Sequence, residues 1–321
     1  MKLLVTGGAG YIGSVVSRQL LAAGHEVVVF DSLERGHRAA VAPDARFVQG
    51  DLRDAGATAG VVSEGFDGVL HFAALALVGE SVSQPELYYH ANVVGTMHLL
   101  DAMRETGVPR LVFSSTCAVY GQPDEVPIAE TAPPRPANAY GASKLAVDMM
   151  IGDYCRAHGL GAVSLRYFNV AGAGGEAGED HYPETHLIPN VMRAALGVLP
   201  AVELYGTDYP TPDGTAVRDY IHVTDLAEAH LRALAVLDGG AAQLRLNLGT
   251  GRGSSVREVI RAVERASGRA VPVREVGRRA GDPPVLVADA RRAGEVLAWK
   301  PRYAELDAIV GHAVRWHNRA P

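Results

Sequence analysis

The chain has 321 residues, 48% hydrophobic and 21% charged, with a formal net charge of −6. This composition builds a core without staples, and a mildly acidic chain with no long basic run excludes a nucleic-acid partner, whose phosphates need a clustered positive face. No stretch approaches the ~20 apolar residues that span a bilayer, and the run Met1-Lys2-Leu3-Leu4-Val5 is too short for a secretion signal.

Short apolar runs at Leu3–Thr6, Glu26–Asp31, Arg46–Gln49, Val69–Ala73, Leu111–Ser114 and Val163–Arg166 predict buried strands. Amphipathic stretches at Ile12–Ala23, Gln84–Glu105 and Tyr140–His158 predict helices between them. Such alternation means an α/β fold, a doubly wound parallel sheet with helices on both faces. Beyond about residue 170 the texture changes. Residues 172–183 are rich in Gly and acids and read as a loop, and residues 198–215 hold several Pro and Gly. Ser255-Val256-Arg257-Glu258 is a capping box that opens a helix to about Gly268, Val271–Val276 is a strand candidate, and Tyr303–Asn318 is a C-terminal helix. The expected division is a dinucleotide-binding domain over 1–169 and a smaller α+β substrate domain over 170–321, some of whose segments return to the main sheet. Cys117 and Cys155 have no metal-type spacing and read as free thiols of a reducing compartment, so a cytoplasmic protein is expected.

Thr6-Gly7-Gly8-Ala9-Gly10-Tyr11-Ile12-Gly13 follows the first strand and opens the first helix. Gly7 allows a sharp exit from the strand, Gly10 clears a side chain where backbone must approach a pyrophosphate, and Gly13 allows close helix–sheet packing. The free N–H groups of the helix then face the phosphates. A glycine triplet alone is a weak signal; the strand–turn–helix context strengthens it. Asp31 ends the second strand at the spacing of a ribose-binding acid. A carboxylate there accepts bonds from ribose hydroxyls and repels the 2′-phosphate of NADP, so NAD is the expected cofactor, with Arg35 keeping NADP as a minor option. Asp51 and Leu52 frame the adenine in this arrangement.

Tyr140-Gly141-Ala142-Ser143-Lys144 places a phenol and an ammonium one helical turn apart, on one face. A phenol with a pKa near 10 is a poor base at neutral pH, and bringing it near 7 takes roughly 4 kcal/mol. Lys144 and the positive nicotinamide ring are the groups expected to supply that, so that Tyr140 removes a hydroxyl proton as hydride leaves the same carbon. A Tyr–Lys pair alone is often only an amphipathic helix face. A third element joins it: Ser114-Ser115-Thr116 ends the fifth strand, at the edge that lines the crevice of an open α/β sheet.

The glycine turn, the Ser114–Thr116 run and Tyr140-x-x-x-Lys144 together resemble the extended short-chain dehydrogenase/reductase family, and within it the UDP-glucose 4-epimerases. Supporting stretches are His71–Ala74, Val78–Ser81, Asn92–Thr96, Arg166–Asn169, Asp213–Val223 and Arg279–Pro283. The resemblance implies roles for individual residues. Tyr140 is the base, Lys144 its electrostatic partner and ribose ligand, and Thr116 the hydroxyl beside the reacting oxygen. Gly7, Gly10, Tyr11, Ile12, Gly13, Asp31, Asp51, Leu52, Phe72, Asn92, Ser114, Tyr140, Lys144 and Tyr167 match positions that contact NAD. Asn169, Arg218, Arg279 and Asp282 match contacts to a UDP-sugar, with Thr116, His186 and Leu187 near the hexose. A homodimer through the helices of Gln84–Glu105 and Tyr140–His158 is implied as well; burial of those faces within one chain is the alternative.

Sister enzymes that dehydrate the same substrate class carry an acid pair after the active-site Thr; here Cys117 and Ala118 stand there. What remains is oxidation at C4 and return of the hydride to the opposite face, interconverting UDP-galactose and UDP-glucose. The sugar stays open to UDP-N-acetylglucosamine, UDP-glucuronate or UDP-xylose, because Leu286 matches a position that gates N-acetylated sugars and is neither the large aromatic nor the small residue. Ala76 and Ala139 depart from Lys and Pro of some relatives. A regulator that senses NAD on the same fold is a distant alternative; such proteins lose the Tyr or Lys present here. Asp180, His181, Glu184 and His186 make a dense polar cluster, yet the segment has loop composition and no helical His pair, so no metal site is expected. No nucleophile elbow supports a hydrolase.

Overall fold

In the computed structural model, which describes residues 1–240, 243–279 and 281–318, strand β1 (Lys2–Thr6) sits near the centre of the main sheet. Its side chains are buried on both faces, which is why its apolar run is unbroken. Leu3 and Val5 join one core and Leu4 the other. The same alternation runs through β2 (Glu26–Asp31), β4 (Gly68–His71), β5 (Arg110–Thr116) and β6 (Gly161–Tyr167), with β3 (Arg46–Gln49) at one edge. The first core is closed by α1 (Tyr11–Ala22) and the second by α2 (Ala55–Val62), α5 (Gly95–Thr106) and α6 (Ala139–His158).

Between α2 and α5 the expected single helix Gln84–Glu105 is broken. Helix α3 (Val78–Ser83) ends before Gln84, Pro85 restarts the chain as α4 (Pro85–Tyr88), and a π-helical stretch Tyr89–Val94 precedes α5. Proline lacks the N–H a continuous helix needs, and the wide π turn seats Asn92 against the Leu75 backbone.

The loop expected over 172–183 contains a small hairpin, β8 (Ala173–Gly174) with β9 (Ala177–Gly178), after β7 (Asn169–Ala171). Helix α7 (Leu187–Ala195) follows, then β10 (Val202–Tyr205), a strand inside the Pro- and Gly-rich stretch. Strand β11 (Val217–His222) pairs β7 along one half. Along the other half it lies between β13 (Gly253–Ser255) and β15 (Val285–Leu286). Between them, α8 (Val223–Asp238) leads to β12 (Gln243–Leu248), and β12 adds to the main sheet beside β6. That sheet has seven strands in the order β12-β6-β5-β4-β1-β2-β3, all parallel. Helices α8 and α10 (Arg291–Leu297) pack on the α1 side. A third core unites α7, α9 (Val256–Ser267) and α11 (Leu306–His317), with β14 (Val273–Val276) paired to β10. The capping box at Ser255 and Glu258 forms as expected.

Strand order reverses between β1 and β4, the place where an open α/β sheet forms its crevice. His71 ties that point together. Thr96 donates its hydroxyl to the Asn92 carbonyl, so the His71 Nε2–H donates to Thr96 Oγ1 at 2.8 Å and Nδ1 accepts from Thr6 at 2.7 Å. The ring is therefore neutral, and burial, with Lys144 nearby, drives its pKa down to about 3.

Unfolded, His71 protonates near 6.5, so its contribution to stability is complete above that pH and is lost as the pH falls toward about 3. Within that window the residue steepens the acid loss of unfolding free energy by ~1.4 kcal/mol per pH unit. Urea denaturation between pH 6.5 and 4.5 is expected to show a shallower slope in His71→Asn by that amount; equal slopes contradict the buried neutral ring.

Candidate active site

At the β1/β4 switch point the chain turns through Gly7 at φ +75°. A Cβ on Gly7 would meet Ala73 N at 2.4 Å, and one on Gly13 would meet Gly7 O at 2.3 Å. Both positions are therefore closed to any side chain. Gly10 differs: a Cβ there would touch only Gly7 O, at 3.4 Å, and the residue faces a cleft of about 1060 Å³. No side chain caps the first turn of α1, and no acid stands in it. The turn thus presents bare backbone and a positive helix end to the cleft, the arrangement that accepts a pyrophosphate.

Asp31 lies beside this turn. Its Oδ2 accepts from Ala9 N–H at 3.0 Å and its Oδ1 from Leu33 N–H at 2.8 Å. Each oxygen keeps a further lone pair for a ribose hydroxyl. Arg35, the residue that kept NADP open, is paired with Glu80 at 2.7 Å. Asp51 is gripped by Arg53, which holds its carboxyl below the usual range. With Leu52 it lines the adenine end of the cleft expected from the sequence.

The reacting end is built where α6 meets β5. Asn138 caps α6, accepting from Gly141 N–H at 2.9 Å. A Cβ on Gly141 would meet the Ala118 carbonyl oxygen at 2.5 Å, so glycine lets the helix start rest directly on the turn after β5. That contact sets Tyr140 beside Thr116. One turn on, Lys144 is 3% exposed, donates to the Ser114 carbonyl at 3.0 Å and lies 4.9 Å from the Phe113 ring centroid. Ser114 in turn hydrogen-bonds the Tyr167 phenol.

Burial pushes the Tyr140 phenol up to about 12, with the Thr116 hydroxyl pulling the other way. Burial also lowers the Lys144 ammonium to about 7, against the attraction of Asp148. The sequence led to an expectation of a phenol near neutrality. Within the chain alone, desolvation outweighs the pull of the Thr116 hydroxyl, because the phenol and the lysine are taken out of water together. Behind Lys144, Asp148 is paired with Arg166 at 2.8 Å, and Ser115 and Tyr120 complete that buried group.

The opposite wall carries Asn169, Leu187, Arg218, Arg279, Asp282 and Leu286. Arg218 pairs with Asp282 and donates to the Val217 carbonyl at 2.8 Å. The Arg279 guanidinium stacks on Tyr205, 3.8 Å from its centroid. Leu286 stands beside Arg218 in the β11–β15 pairing. Ala280, within the Arg279–Pro283 stretch, lies outside the described residues. His186 is on the same wall, and Glu179 and Glu184 raise its pKa to about 10 against the opposing effect of burial.

Every expected site residue lines this cleft except one. Asn92 is 1% exposed and stands behind the wall: it accepts from Leu75 N–H, donates to Leu75 O, and donates to Ser143. These bonds tie the 72–77 segment, whose residues do face the cleft, to helix α6. Several contributors were not anticipated. Asn138 carried a usable signal, an Asn at the head of a helix. Tyr205, under the Arg279 guanidinium, lay in a stretch without such a mark. Glu179 came into the site only through the fold.

A profile of the NAD-dependent epimerase/dehydratase family matches residues 3–249. A UDP-glucose 4-epimerase of Streptomyces lividans is 56% identical over 100% of this chain and 97% of the relative. The crystal structure of a UDP-glucose 4-epimerase from Brucella ovis in complex with NAD is 49% identical, with a TM-score of 0.95 over 98% of this chain and 97% of that one. The epimerase of Bifidobacterium longum, crystallised with NAD+ and UDP, is 38% identical, with a TM-score of 0.94 over 100% and 99%. With a family profile spanning most of its length and relatives matching from end to end, the chain belongs to the NAD-dependent epimerase/dehydratase family.

Proposed function

We propose that the chain is a UDP-glucose 4-epimerase that interconverts UDP-galactose and UDP-glucose with NAD held on residues 1–169 and the UDP-sugar on residues 170–321. Of the second part, β12 joins the main sheet, and α8 and α10 pack on it. The observation that carries the reading is one continuous cleft, with the glycine turn at one end, the Arg218 and Arg279 wall at the other, and Tyr140, Thr116 and Lys144 between them. The steric closure at Gly7 and Gly13 and the bare start of α1 fit a dinucleotide pyrophosphate. NAD, when bound, supplies the hydride acceptor and a positive ring.

Tyr140 takes the proton of the sugar C4 hydroxyl, with the Thr116 hydroxyl beside the same oxygen. Lys144 favours the ionised phenol electrostatically, and its anchorage on the Ser114 carbonyl fixes it one turn behind. Arg218 and Arg279 suit the diphosphate because a guanidinium is planar, always charged and bidentate. Anchorage at the UDP leaves the hexose free to turn, so the 4-keto sugar presents its other face and Tyr140 returns the proton. No net oxidation occurs. Dehydration is disfavoured at this site: burial pushes the Cys117 thiol up to about 12 and Ala118 has no acid, so neither takes up a C5 proton.

Tyr89 in the π-helical stretch, Met97 on α5 and Met149 on α6 are large, exposed apolar residues on the helices expected at a dimer interface. A homodimer through that face covers them. Among the described residues no helix is long and apolar enough to cross a membrane, and the free thiols Cys117 and Cys155 support a cytoplasmic setting.

Purified protein incubated with UDP-galactose and no added oxidant is expected to form UDP-glucose; a 4-keto-6-deoxy product, or none, contradicts the reading. Tyr140→Phe is expected to lower kcat by at least about 100-fold while NAD stays bound. Lys144→Met is expected to lose both turnover and NAD affinity. Unchanged turnover in either variant removes that residue from the mechanism. Analytical ultracentrifugation is expected to show a dimer that Met149→Glu dissociates; a monomeric wild type refutes the interface.

A further inference from the structure

Between β9 and α7 the chain carries Glu179, His181, Glu184 and His186, and none of them acts as acid or base in the epimerisation above. One ligating atom from each lies within 4.8 Å of all the others, on the cleft wall. The carboxylates of Glu179 and Glu184 are only 8% and 7% exposed, yet both approach the same nitrogen, His186 Nδ1, at 2.9 and 2.8 Å. A single ring N–H satisfies one acceptor well. The His186 backbone N–H also donates to Glu184 at 2.7 Å, yet two buried carboxylates still share the one ring N–H, an imbalance of charge that is costly in a low-dielectric wall. His181 Nδ1 points into the same group, 3.5 Å from Glu179, and is buried with no hydrogen-bond partner among the described residues. The cluster expected from the sequence contained Asp180 instead. That carboxylate turns away toward His37, at 3.6 Å, and the fold substitutes Glu179.

Two imidazoles and two carboxylates are a donor set for a tetrahedral zinc ion, whose ligand atoms stand ~3.4 Å apart. Each ligand atom moves by less than ~1 Å to close the observed spread to that distance. We propose that Glu179, His181, Glu184 and His186 form a divalent-cation site, with zinc the best-fitting ion, that pins the segment leading into α7 to the cleft wall. Four protein ligands leave no open position, so the ion is structural. Its charge neutralises both carboxylates on a wall along which a phosphate-bearing ligand must pass. The binding itself does not depend on which sugar the enzyme uses.

The test uses the untagged full chain, titrated calorimetrically with zinc sulfate and assayed for retained zinc by plasma mass spectrometry after desalting. The expected result is about one zinc per chain and a rise in melting temperature on adding zinc. His181→Ala and Glu184→Gln are each expected to weaken binding by at least about 100-fold and to lose the zinc-dependent rise while keeping a cooperative melting transition without zinc. A wild-type chain that neither binds zinc nor melts higher with it overturns the proposal. So does zinc binding of unchanged affinity in both variants, which places the ion elsewhere.

Discussion

The site depends on how closely helix α6 is seated on the end of strand β5. The Ala118 carbonyl occupies the space a side chain on Gly141 would fill, so the first turn of α6 lies directly on the turn that follows Thr116. From that one contact the rest follows. Tyr140 is brought to the strand end that carries Thr116, and Lys144, one turn later, reaches the Ser114 carbonyl. The Asn138 cap closes the first turn of the helix that rests there. Proximity of this kind holds separate groups in one fixed orientation.

Burial of these groups has an electrostatic consequence. Tyr140 and Lys144 are both removed from water, and each is pushed toward its neutral form. The buried Asp148–Arg166 pair stands behind the lysine, with Asp148 attracting the ammonium. On the function proposed above, Tyr140 is then a base held in reserve, a phenol that ionises readily only when further positive charge arrives beside it. On that proposal, proton removal is linked to occupancy of the dinucleotide end of the cleft, where the glycine turn and Asp31 are arranged.

Much of this was legible in the sequence. The two-sided burial of the main sheet leaves unbroken apolar runs, and these located five of its first six strands; β3 was placed correctly as a strand, but it lies at the edge and is not buried as expected. The glycine turn and the Tyr140–Lys144 spacing are local signatures, and local geometry keeps them intact. What was not legible depended on long-range packing. The Pro85 break was visible as a residue, but the π turn that sends Asn92 inward is set by the Leu75 backbone it meets. The role of Gly141 requires Ala118 as a neighbour. Strand β10 is hidden in a Pro- and Gly-rich stretch because its partner β14 is about seventy residues away, and parallel pairing leaves no turn signal between the two. Asn92 shows the limit of transferring a role by position: the match is good, yet its side chain supports the cleft from behind.

The most direct test of the central claim follows the hydrogen itself. UDP-galactose carrying deuterium at C4 is converted by the purified protein in ordinary water, and the product is examined by mass spectrometry and NMR. If one hydride leaves C4 and is handed back to the opposite face inside a closed site, the UDP-glucose formed retains the deuterium at C4. Loss of the label to solvent, or its appearance at another carbon, contradicts that account.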